Sequence, residues 1–291
     1  MDLTELEDSE YKRLLVYGPP KSGKSRLVGM LAERYNLVWF DLENGRKVLR
    51  SLPIEWQKRI QIIPIPDTKS YPIAIETVRK VIKGSAYEIC LDHGKCFCPI
   101  CKTNERPFSF VELNALDKNS IAVFDSATQL TSSAIAQILR NQPEEYKPGW
   151  DDWGNLGRLM DAVLSEVQQS QFHCIFISHE TDAERVDKTT KIVPVSGTRN
   201  FSRNVAKYFD DVVYCDVKNK KHIAASSSVY NNTIQTGSRS GISIEDFEIP
   251  TLIPFFTGEI PTQKKVHEAV TAAKSSSKLS NLLAKTRANN G

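Results

Sequence analysis

Gly18-Pro19-Pro20-Lys21-Ser22-Gly23-Lys24-Ser25 fills the phosphate-loop pattern G-x-x-x-x-G-K-S/T at every fixed position. Residues spaced this way turn successive backbone N–H groups toward a phosphate. Lys24 would then reach the β- and γ-phosphates, and the Ser25 hydroxyl would ligate Mg²⁺. The flanks suit the loop. Arg13-Leu14-Leu15-Val16-Tyr17 reads as a short buried strand, and Leu27, Val28, Met30 and Leu31 recur at helical spacing between Ser25 and Tyr35. A strand, a glycine-rich turn and a helix N-terminus give the positive potential that a triphosphate needs. ATP and Mg²⁺ are the ligands this predicts.

Carboxylates further along could complete a hydrolytic site. Ile121-Ala122-Val123-Phe124-Asp125 is an apolar run ending in an acid, which places Asp125, followed by Ser126, at a sheet edge beside the metal. Glu43 follows the strand-like Leu37-Val38-Trp39-Phe40 and can face the nucleotide as the base that activates water. Its alternative is a solvated loop acid. Ser178 and His179 end the apolar run His173-Cys174-Ile175-Phe176-Ile177 and offer a polar sensor of the γ-phosphate. His179 has the plainer alternative of a surface histidine.

A second chemistry lies between Cys90 and Cys101. Cys90, His93, Cys96, Cys98 and Cys101 offer five ligands in twelve residues. Cys98-Pro99-Ile100-Cys101 is a knuckle that turns two thiolates toward one ion, and Cys90 and His93 supply two further positions of a tetrahedral Zn²⁺ site. Cys96 is the alternative fourth ligand or a spare thiol. A redox pair is the rival reading; four protein ligands favour structural zinc, since no coordination position stays open.

The elements that must position these groups follow from the apolar pattern. Strand-like runs at 37–40, 60–65, 120–125 and 173–178 alternate with helical spacing at 71–83, 130–140 and 156–169. This predicts an α/β protein with a mostly parallel sheet between helices. A Cys/Gly/Pro-rich stretch at about 86–118 interrupts the alternation as an insertion stapled by zinc. Shorter β-rich segments (Val212 to Tyr214, His222 to Ala225) follow Lys191. We expect an acidic segment at 1–11, a core at 12–258 and a basic tail at 259–291, with a short helix near Leu279 to Lys285. Thr262 to Gly291 carries six Lys/Arg against one Glu.

Composition bounds the function classes. With 40% hydrophobic and 25% charged residues the 291-residue chain is ordinary globular material, and its net charge of +3 does not by itself announce nucleic-acid binding. No apolar run approaches the ~20 residues of a membrane span. Asp2, Glu5, Glu7, Asp8 and Glu10 exclude the basic-then-apolar order of a signal peptide. Clustered cysteines suggest a reducing compartment. The expectation is a cytoplasmic protein without membrane contact.

The succession Gly18-to-Ser25, Phe40-Asp41-Leu42-Glu43, Val123-Phe124-Asp125-Ser126 and Phe176-Ile177-Ser178-His179 resembles the ATPase core of RecA-like recombinases over about residues 12 to 230. It looks closest to compact phage-encoded RecA-like ATPases, often labelled AAA-domain proteins, some of which anneal single strands. The resemblance implies a RecA-like P-loop NTPase fold, with Glu43 activating water, Asp125 and Ser126 at the metal, and Ser178 and His179 where RecA itself has glutamine. It also implies a homo-oligomeric ring or filament in which a neighbour's basic residue completes the site. Arg199, in Gly197-Thr198-Arg199, and Arg239, in Thr236-Gly237-Ser238-Arg239, are the candidates; each has the alternative of a plain loop arginine.

Single-stranded DNA is the partner this implies, supported by the basic tail and by the loops Asn141 to Gly154 and Thr181 to Asn200, with Lys, Arg and Trp for stacking and charge neutralisation. The tail has the plainer reading of a solvated end. A single-strand-binding or other replication protein is a further expected partner, and phage origin would make the host cytoplasm the location. The competing reading is a helicase-like or packaging-like motor or loader acting through a protein partner. A small-molecule kinase is disfavoured, because no arginine-rich lid is evident.

Overall fold

The computed structural model describes residues 11–184, 190–226, 233–242 and 251–258. The acidic N-terminal segment and the basic tail, with its expected helix, lie outside the described residues. In chain order the elements are β1 (Arg13–Gly18), α1 (Lys24–Gly29), β2 (Asn36–Asp41), α2 (Ile54–Gln57), β3 (Ile60–Pro64), α3 (Ile73–Val81), β4 (Ala86–Cys90), α4 (Pro99–Thr103), β5 (Phe108–Glu112), β6 (Ser120–Asp125), α5 (Ala127–Ile138), α6 (Trp150–Gln168), β7 (His173–Glu184), β8 (Thr190–Pro194), α7 (Arg199–Ser202), β9 (Asp211–Lys218), β10 (Lys221–Ala225), β11 (Gly237–Ser238) and α8 (Pro254–Thr257).

The main sheet runs β10-β9-β1-β7-β6-β2-β3. From β9 to β3 every neighbour is parallel, while β10 and β11 pair antiparallel with β9. Such strands are buried on both faces, which is why they read as continuous apolar runs. Alternate residues feed two cores. Val38, Phe40, Ala122, Phe124, Cys174 and Phe176 face α3, α5 and α6. Leu37, Trp39, Ile121, Val123, Ile175 and Ile177 face α1 and α8. Phe40, Phe124 and Phe176 stack across three strands, with centroids 4.8 and 4.6 Å apart. One residue further along the same register lie Asp41, Asp125 and Ile177. The aromatic ladder thus fixes where the acids emerge at the carboxyl edge.

Three elements differ from the sequence pattern. The expected helix from Leu130 begins at Ala127, because the Ser126 hydroxyl caps it by accepting the Gln129 N–H at 3.2 Å. The expected loop through Trp153 is helical from Trp150, where the Asp152 carboxylate accepts the Gly149 N–H at 2.8 Å. Strand β7 runs past Ser178 and pairs with β8, so the expected loop Thr181 to Asn200 is in part a hairpin. The insertion is a two-stranded antiparallel ladder, β4 with β5, with α4 between them.

Candidate nucleotide site and metal centre

The phosphate loop leaves β1 at Gly18, whose φ is +148°; a side chain there would meet the Cys215 carbonyl of β9. Gly23, φ +91°, closes the turn in the left-handed region that glycine tolerates. From Lys24 the chain is helical, so the loop opens onto unpaired N–H groups. Lys24 is buried and folds back, Nζ donating to the carbonyls of Gly18 at 2.9 Å and Pro19 at 2.7 Å. Burial lowers its pKa. Pro20 and Lys21 form the exposed outer turn, and Ser22 is buried beneath it.

Ser25 and Asp125, a hundred residues apart, meet directly: Ser25 Oγ donates to Asp125 Oδ2 at 2.9 Å. Burial pushes the Asp125 carboxyl up to about 7, with the charges of Glu43 and Asp41 adding to the effect against the Ser25 hydrogen bond. A hydroxyl and a buried carboxylate facing one point could together hold Mg²⁺. The divalent charge would offset the strain of ionising Asp125.

Glu43 projects toward the same cavity of about 530 Å³, which Lys24, Ser25, Asp125, Ser126 and His179 also line. Its carboxylate accepts from the Ser126 hydroxyl and lies 3.3 Å from His179 Nε2. A carboxylate only accepts, so the shared proton sits on Nε2. Burial raises the Glu43 pKa, but the hydrogen bonds from His179 and Ser126 outweigh it and hold the group below the usual carboxylate range. It is therefore an ionised, oriented carboxylate that can serve as a base.

Ser178 and His179 part company. Ser178 is fully buried and its hydroxyl donates to the Val195 carbonyl at 2.7 Å, tying β7 to the end of the hairpin. His179 reaches Glu43, and the Thr128 hydroxyl holds its backbone N–H at 2.9 Å.

Three contributors escaped the sequence reading. Asp41, buried, accepts from Gly45 N at 2.8 Å and from Arg46 at 3.2 Å, so it shapes the turn that carries Glu43. Thr128 orients His179. His222, on β10, lies against the phosphate loop, with Nδ1 3.0 Å from the Ser22 carbonyl. Asp41 had a visible signal, an acid ending an apolar run as Asp125 does; the other two had none.

A parallel sheet with a phosphate loop on one strand, an acid two strands away and a base on the next defines a P-loop nucleoside triphosphatase. Residues 10–243 match the model of the AAA domain family, and the chain belongs to that family of P-loop ATPases. No curated protein matches the chain.

In the insertion the ligand atoms of Cys90, His93, Cys98 and Cys101 all lie within 4.8 Å of one another. His93 Nδ1 is 3.1 Å from Cys101 Sγ and 3.7 Å from Cys98 Sγ. Tetrahedral zinc bonds of about 2.0–2.3 Å place ligand atoms roughly 3.3–3.8 Å apart, so the His93 pairs are close to that spacing and a contraction of about 1 Å at most would close the set on an ion. Cys96 is not in this group. It is buried in the main core near Thr77, and burial pushes its thiol up to about 11.

The two arginine candidates separate. Arg199 is exposed on the first turn of α7. Arg239 follows β11, its N–H bonded to the Asp210 carbonyl at 2.8 Å, beside the amino end of β9 and so at the sheet edge opposite the phosphate loop. Among the described residues no helix is long and apolar enough to cross a membrane.

Proposed function

We propose that the protein hydrolyses ATP with Mg²⁺ as a RecA-like ATPase acting on single-stranded DNA, in phage recombination, annealing or replication. The observation that carries the reading is Glu43: it faces Ser25 and Asp125 from a neighbouring strand while hydrogen-bonding His179 at the root of the β7–β8 hairpin. Ser25 and Asp125 would hold Mg²⁺, which would supply neutralisation of the charge that develops on the phosphates. Lys24 swings from its carbonyl partners to the phosphates, Glu43 takes the proton of the attacking water, and Ser126 and His179 keep its carboxylate aimed. Because His179 starts the hairpin, a strand held there would bias the Glu43 geometry, and DNA would then stimulate hydrolysis. Zn²⁺ on Cys90, His93, Cys98 and Cys101 secures the insertion, whose only separate apolar cluster is those cysteines with Phe108. A homo-oligomer would bring Arg199 or Arg239 of one copy to the site of the next.

ATPase rates with and without single-stranded DNA, with particle size measured in a non-hydrolysable analogue, test this. Stimulation with assembly is expected; a rate indifferent to DNA overturns it. One observation favours the motor or loader reading. Trp150, 93% exposed, lies in a stretch whose exposed charges are Glu144, Glu145 and Asp151 against Arg140 and Lys147. That surface repels a phosphate backbone and suits a basic protein partner.

A further inference from the structure

Strands β6 and β10 flank β1 symmetrically, each two strands away. Asp125, at the end of β6, marks the metal and γ-phosphate side of the loop. His222, on β10, stands on the other side, 200 residues from Ser22 in sequence yet with its ring against the loop. A Cβ on Gly23 would come within 2.9 Å of His222 Nδ1, so the ring closes that wall of the cavity and adds a second reason for glycine there. The Ser22 carbonyl can only accept, which puts a proton on Nδ1 and leaves Nε2 of the neutral ring as an acceptor.

We propose that His222 is a nucleotide-positioning residue that contacts the α-phosphate through Nε2 and takes up a proton from solvent when the nucleotide binds. The proposal rests on the nucleotide reading of the phosphate loop. With the γ-phosphate drawn toward Asp125 and Glu43, the triphosphate must leave the loop on the β10 side. A phosphate oxygen only accepts, so the contact requires the imidazolium. Lys21 and Lys24 of the loop and Arg26 of α1 share the cavity with it; Glu43, Asp125 and His179 line the far side, and Asp216 of β9 pairs with Ile223, on the opposite face from His222. The phosphate charge favours the imidazolium.

His222→Asn tests it, since an asparagine amide can still donate to the Ser22 carbonyl while nothing replaces Nε2. Calorimetric ADP titrations in two buffers of different ionisation enthalpy, with Mg²⁺ throughout, read affinity and proton uptake together. Affinity is expected to fall about five- to tenfold, with a loss of proton uptake relative to wild type and an unchanged melting temperature without nucleotide. Equal affinity and equal proton uptake overturn the proposal. So does a parallel loss of affinity and melting temperature with proton uptake intact, which would make His222 a strut alone. If the wild-type protein binds no ADP, the nucleotide reading fails and this inference with it; if it binds and His222→Asn behaves identically, only this inference fails.

Discussion

His179 Nε2 and Glu43 Oε2 meet at 3.3 Å across 136 residues of chain, joining the turn after β2 to the start of the β7–β8 hairpin. The contact keeps Glu43 ionised and aimed, and it makes the proposed base sensitive to whatever moves the hairpin.

Glu43→Gln should therefore separate binding from chemistry. The amide keeps the size and can still accept from Ser126, but it cannot take a proton. Steady-state hydrolysis should fall about 10²–10³-fold, while ADP affinity by titration stays within about twofold, the phosphate loop being untouched. Loss of both together would place Glu43 in binding instead.

Asp125 predicts a pH signature. Its folded pKa of about 7 stands above the ordinary aspartate value of 3.8, so the folded state holds a proton that the unfolded chain has released. The resulting stabilisation is complete below the unfolded value and disappears as pH rises through about 7. Asp125→Asn, neutral throughout, should escape that loss. Thermal denaturation without Mg²⁺ should show the variant gaining on wild type between pH 6 and 8, by an amount on the order of 1–2 kcal/mol. Parallel melting curves at both pH values would refute a strained carboxylate.

The stacked phenylalanines explain why the carboxyl edge of the sheet was legible in sequence. Phe40, Phe124 and Phe176 sit in runs buried on both faces, so their apolar stretches stand out and the acids that end β2 and β6 fall in register at once. The knuckle spacing likewise pointed to four ligands, though only folding showed that Cys96 turns into the main core. What stayed hidden is what depends on strand order. Nothing local ties His222 to Ser22, or Thr128 to His179, because sheet position is set by crossovers that no short window contains. The extension of β7 was hidden for another reason: beyond Ser178 its residues are largely polar, and in this half-buried hairpin the buried apolar residues, Ala183 and Val193, are too sparse to make a strand readable.

Ser178→Ala separates structure from sensing within the Ser178-His179 pair. The lost hydroxyl leaves the Val195 carbonyl without that donor in a buried setting, at a cost of about 1–2 kcal/mol. Denaturant unfolding should register the loss, and hydrolysis by the folded fraction should be nearly unchanged. A tenfold or greater drop in kcat at full folding would return Ser178 to the catalytic set.

The insertion supplies the sharpest test of metal dependence. Ile89 of β4 and Val111 of β5 are buried in the main core, but at the α4 end Cys90, Cys98 and Cys101 with Phe108 form an apolar cluster too small to hold the insertion's tip by burial. Purified protein should carry one zinc per chain, released stoichiometrically when the thiols are titrated. Cys98→Ser should lose the metal and expose the insertion to limited proteolysis. Cys96→Ser should keep it, since that thiol lies in the main core, and should show instead a modest loss of global stability of about 1 kcal/mol. Zinc lost from Cys96→Ser but retained by Cys98→Ser would reverse the ligand assignment, and β4 would then have to shift its register against β5 to bring Cys96 to the ion.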